Sequence, residues 1–233
     1  CAPQHTEQPN SYVKKWPHTM KITDELINKL SEDALTSETK DFNVSSYSQR
    51  TIMFLVGYLS AVLLVLGPRD DWLQQFNQAA YAVEILLTLF LIVSAGIASV
   101  RFSVPKALKQ STALLLPTVS VALGLVIWQL GEVSGEELIT SATDLSLSYI
   151  SLGVIAGATP AAVFLFWQMS QGSPTQLSFA SGMALLSASA CGHLLMRTIG
   201  QASNFSDVLI WCYSPILLLM TVGALSGNKL LRW

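Results

Sequence analysis

Four residues with ionisable or thiol side chains stand inside otherwise apolar stretches: Glu84, Cys191, His193 and Cys212. Thiolate sulfur and imidazole nitrogen are donors that soft metals accept, and thiols also carry redox chemistry. Cys191 and His193 are close in sequence, and Cys212 opens the next apolar run. At about 1.5 Å rise per residue, the three fall within roughly two helical turns of one membrane face. They form a possible sensing set. The competing reading is structural, because cysteine is a common small apolar residue and a buried histidine can cap a carbonyl. No metal-binding spacing accompanies them, so no metal is assigned. Glu84 in an apolar run is a functional flag. It sits about one turn from the end of that run, however, and the expectation is that it snorkels to the interface.

No phosphate-binding glycine loop, HExxH or GxSxG occurs. The apolar runs also lack the acidic and basic partners that proton-coupled carriers show. The sequence therefore reads as a non-enzyme without a cofactor. Charged residues make up 12% of the chain and hydrophobic residues 51%, against about a quarter charged in soluble domains. A net charge of −2 argues against direct nucleic-acid binding, which needs a basic face. Three cysteines are too few for a disulfide scaffold.

The elements that must position these residues are membrane spans of about 20 residues each. Thr51–Leu66, Ala79–Val100, Ser111–Leu130, Ser146–Trp167, Gln176–Met196 and Val208–Leu225 meet that description. The fold class is all-α: a polytopic membrane protein of six transmembrane helices with a short N-terminal amphipathic helix. Between the spans lie a polar turn (PRDDWLQQFNQ) and an acidic loop (GEVSGEELITSATD). Arg50, Arg101, Lys106, Lys109, Lys229 and Arg232 flank one side. The other side has only Arg69 and Arg197, with Asp70, Asp71, Glu132, Glu136, Glu137 and Asp144 among its acidic residues. Lysine and arginine mark the cytoplasmic side, so both termini are expected in the cytoplasm of a bacterial cell, with the lipid bilayer as the body's surroundings.

Residues 1–19 carry no periodicity, and the sequence predicts a disordered extension there. Met20 reads as a natural start, with a lipidated Cys1 as the alternative. In 20–50, Ile22, Leu26, Ile27 and Leu30 recur at helical spacing. Thr23 is placed to cap, and Asp24 and Glu25 stand where the helix dipole favours anions. Such a face packs either on the protein's own body or in a partner's groove. A Ser/Thr-rich linker, Thr36–Gln49, follows, and 51–233 is the six-span body. Within that body Gly153/Gly157, Gly223/Gly227 and the run Ser187–Gly192 have the small-residue spacing that lets helices approach closely. Pro117 and Pro160 predict kinks.

The terminal string GALSGNKLLRW, with Gly227, Lys229, Leu230, Leu231, Arg232 and Trp233, together with six spans and the opening Thr23–Leu30 helix, resembles the NrsF-like family of bacterial membrane anti-sigma factors. The resemblance runs from about Met20 to Trp233. It implies that the cytoplasmic N-terminal segment binds an extracytoplasmic-function (ECF) sigma factor at the inner membrane and releases it on a stress signal. Ile22, Leu26, Ile27 and Leu30 become the partner-binding face. The chain departs from the family pattern where cysteines are expected: the start of span four reads DLSLSYI and the loop after span five RTIGQASNFSD. The segment KDFNVSSYSQR also lacks a Pro/Arg-rich character. A small six-span transporter is the alternative; it needs polar residues along a path, and only Glu84 and His193 offer themselves.

Overall fold

The computed structural model describes residues 44–103, 108–171, 176–199 and 205–230, all within the unit Asn43–Trp233. The arm residues Ile22, Leu26, Ile27 and Leu30 lie outside the described residues, as do Leu231, Arg232 and Trp233. The order is α1 (Val44–Leu66), α2 (Trp72–Phe76), α3 (Ala79–Phe102), α4 (Leu108–Glu132), α5 (Gly135–Thr143), a 3-10 turn (Leu145–Leu147), α6 (Ser148–Ser170) and α7 (Leu177–Ile199). The last span comprises α8 (Phe205–Asp207), a π-helical stretch (Val208–Tyr213) and α9 (Ser214–Leu230). Among the described residues there is no strand. Among the described residues six helices are long and apolar enough to cross a membrane, as the hydropathy pattern predicts.

The span boundaries shift where polar residues extend an apolar run. The first helix starts at Val44 rather than near Thr51, so the end of the expected linker is helical. Thr51 is fully buried and Gln168 nearly so. The Thr51 hydroxyl lies 2.8 Å from Gln168 Oε1 and 2.9 Å from the Tyr47 carbonyl, and Gln168 Nε2 donates to that same carbonyl at 2.8 Å. A side chain from the end of α6 thus secures the first turns of α1. Replacing Gln168 with leucine should cost about 1–2 kcal/mol, since a buried carbonyl loses its inter-helix donor. Thermal unfolding of the detergent-purified protein checks this; an unchanged midpoint would mean that the junction is not a structural tie. The expected acidic loop contains α5, capped by Ser134, whose hydroxyl accepts from the Glu137 amide, with Glu136 and Glu137 in the first turn. The expected polar turn contains α2. Past α5, the Ser146 hydroxyl and amide donate to Asp144, holding its carboxyl below the usual range.

The bundle is built around α7, which packs against α9, α6 and α3. It is the least hydrophobic of the six spans, yet 83% of its span window is buried, against 17% for α1 and α4. Small residues explain this, because only they let neighbours approach from several sides. A Cβ on Gly192 would fall onto the backbone of Val154 and Ala158 in α6. A Cβ on Gly227 would meet the Ser181 hydroxyl and the Leu177 carbonyl, and one on Gly223 would come within 2.9 Å of the Ser181 carbonyl. Serines add ties between helices: Ser187 donates to the Ile92 carbonyl at 2.8 Å, and Ser181 to the Gly223 carbonyl at 2.7 Å. The packing role expected of Gly157, Gly192, Gly223 and Gly227 is therefore present. Large apolar residues such as Leu64, Leu116 and Ile127 face outward, as a lipid-facing surface requires.

Candidate functional site

The ionisable groups in the spans meet at the end of the bundle opposite the start of α1. Glu84 stands in the second turn of α3, and His193 and Arg197 share one face of α7 at i, i+4 spacing. The loop between α1 and α2 closes the same end: the Arg69 amide donates to the Thr198 carbonyl at 3.1 Å, and Arg69 pairs with Asp71.

Glu84 does not snorkel. It is 4% exposed, and so is Arg197; His193 is 1% exposed. Arg197 Nε and Nη2 both donate to Glu84 Oε2, at 3.2 and 3.1 Å. His193 Nε2 lies 3.4 Å from the other carboxylate oxygen, at the limit of hydrogen-bond reach, and neither of these two atoms bonds elsewhere. The correction has a physical reason. A carboxylate one turn from a span end can reach water, but a buried guanidinium at the same depth in the neighbouring helix holds it inside.

Aromatic rings close the cluster. The Tyr81 ring lies 5.2 Å from Arg197 Cζ, within cation–π range. The Tyr213 ring stands 5.0 Å from the His193 ring. A cavity of about 10 Å³, lined by Glu84, Trp128 and Gln129 among others, is close to the volume one water needs. Tyr213 closes the π-helical stretch. Wide π turns are rare and often sit at functional places, and this one is fastened on two sides. Ser151 donates to the Trp211 carbonyl at 2.7 Å, and Trp211 Nε1 donates to the Ser141 carbonyl at 3.0 Å. Ser141 also donates to Asp207 at 2.7 Å.

Of the sequence-derived sensing set, only His193 joins this cluster through contacts of its own. Cys191 and Cys212 are free and fully buried. Among the described residues no three His, Cys, Asp or Glu side chains are grouped so as to hold a metal ion, so the convergence of Cys191, His193 and Cys212 into a ligand set does not occur. Glu84 and His193 face each other at one end of the bundle. Sequence reasoning missed Arg197 as a partner and counted it only as a flanking charge. Its opposite sign at the depth of Glu84, in the topology already inferred, was the available signal.

Chemically, the arrangement is a clamp between two spans. Arg197 neutralises the carboxylate through one oxygen, and the His193 imidazole stands beside the other.

A model of the family described as negative regulator of sigma F (NrsF) matches residues 35–233. The opening string Thr23–Leu30 precedes the matched residues. Gly227 of the terminal string lies within them and is a contact point between α9 and α7. Neither a curated protein nor a solved structure matches the chain. With six candidate spans and a family match over most of its length, the chain belongs to the NrsF family, the negative regulators of sigma F.

Proposed function

We propose that this protein is a membrane-anchored anti-sigma factor that holds an ECF-type sigma factor through its N-terminal arm and releases it on a stress signal. The observation that carries the reading is the family match over 35–233, on a chain whose matched part is a six-span body. A negative regulator of sigma acts on a soluble protein, and the long polar segment of this chain is the arm. Its apolar stripe, Ile22, Leu26, Ile27 and Leu30, supplies the i, i+4 anchors by which an amphipathic helix fills a groove. The lysine and arginine bias supports a cytoplasmic arm, on a body that this reading assigns to the inner membrane. Release requires two states of the body with different affinity for sigma. Of the sensing set, His193 is the residue that stands against a carboxylate, that of Glu84.

Full-length protein in detergent should capture the cognate ECF sigma factor. Replacing Leu26, Ile27 and Leu30 together by aspartate should weaken capture by at least about a hundredfold, roughly 2.7 kcal/mol. Undiminished capture by the triple variant would assign the contact elsewhere.

A further inference from the structure

At the end of the bundle where α1 begins, a groove of about 330 Å³ opens between α1 and the last turns of α6. That volume is at the lower end of the range for small-ligand sites, about 300–1,000 Å³. Two kinds of chemistry divide it. Phe54 and Phe164 stack at 3.7 Å and form an apolar wall, with Trp167 beside them, 60% exposed. Arg50 stands one turn nearer the start of α1, exposed, its guanidinium 5.5 Å from the Tyr47 ring. Among the described residues no acidic residue lines the groove and no carboxylate pairs with Arg50.

The placement fixes the depth. The groove occupies the first turns of one span and the last turns of another, which is where headgroups meet hydrocarbon and where tryptophan, tyrosine and arginine collect. A single cation above an apolar slot at that level is complementary to an amphiphile with an anionic head. A zwitterionic headgroup would bring its own cation beside the guanidinium, with no carboxylate among the described lining residues to receive it, and a soluble anion would leave the aromatic wall unused.

We propose that this groove binds one anionic phospholipid, with its phosphate on Arg50 and an acyl chain along Phe54, Phe164 and Trp167. The site shares Gln168 and Tyr47 with the hydrogen-bonded junction that secures the first turns of α1. The lipid therefore touches the point from which the N-terminal segment departs, and the anionic lipid content of the membrane bears on how firmly that point is held.

The test is native mass spectrometry of the full-length protein, released from nanodiscs of defined phosphatidylglycerol and phosphatidylcholine content. Wild type should retain one phosphatidylglycerol with at least a tenfold preference over phosphatidylcholine. Arg50→Gln should abolish that preference, Arg50→Lys should keep part of it, and Lys229→Gln should leave it intact. Trp167→Ala should lower retention of both lipids. Equal retention of the two lipids by wild type, or an unchanged preference in Arg50→Gln, would overturn the proposal. So would displacement of the lipid by millimolar glycerol phosphate, which would show a site for the free anion. Arg50 is exposed, so its variants should fold; near-ultraviolet circular dichroism verifies this.

Discussion

Replacing Glu84 with glutamine should destabilise the protein by about 3–5 kcal/mol. Glutamine is close in shape but cannot neutralise Arg197, whose guanidinium is 4% exposed and donates two hydrogen bonds to the lost carboxylate oxygen. The penalty comes from the charge left behind rather than from the pair itself. A second variant separates these two quantities. Glu84→Leu combined with Arg197→Leu removes both charges and should recover most of the loss, because an apolar pair of similar volume often matches a buried ion pair. Equilibrium unfolding in mixed detergent reads both. A loss within about 0.5 kcal/mol for Glu84→Gln would mean that the carboxylate reaches solvent after all, and a double variant no better than the single would place the cost in packing.

The second large effect is at Gly192. Its Cα faces the backbone of α6 so closely that a methyl group has no room beside Val154 and Ala158. Backbone cannot yield as a flexible side chain can, so Gly192→Ala should cost about 1–3 kcal/mol, and Gly192→Leu should force α6 off α7 and leave no monodisperse protein. Gly57 provides the comparison, because a Cβ there meets nothing within 4 Å. Gly57→Ala should be neutral, or favourable by up to about 1 kcal/mol, as alanine is the better helix former. Size-exclusion profiles and thermal midpoints of the two alanine variants decide the matter; equal behaviour would remove the close crossing of α6 and α7.

Much of the body was legible because a membrane imposes a one-dimensional rule. Span length and apolarity located all six helices, with only the start of the first misplaced by more than about five residues, and glycine spacing marked the close crossings at Gly157, Gly192, Gly223 and Gly227. What escaped was relational. Hydropathy sees where an apolar run stops, not that Gln168 holds the Tyr47 carbonyl and carries α1 back to Val44. It treats Arg197 as a topological marker because a run of residues has no partners; only the packing of α7 on α3 reveals that it faces Glu84. The π-helical Val208–Tyr213 left no trace, since its residues are ordinary span residues and the ties to it come from Ser151 and Ser141 in other helices. Proximity along the chain also suggested a ligand set of Cys191, His193 and Cys212, and among the described residues these three are not grouped so as to hold a metal ion.

The centre of this bundle is also its poorest candidate for independent entry into a bilayer. The helix with the weakest apolar character carries an arginine and a histidine and ends up the most enclosed. Each charged residue raises the cost of insertion, by about 2.5–3.5 kcal/mol at mid-membrane and less toward the ends. Ribosomal synthesis runs from the N-terminus, so α3 and its Glu84 leave the ribosome three spans before Arg197. The anion can already be waiting when the cation arrives, and the fifth span then enters against a partner rather than against lipid. On this account the order of the helices along the chain is itself part of how the protein is assembled, and exchanging the positions of spans two and five would fail during biogenesis even if the finished bundle were equally stable.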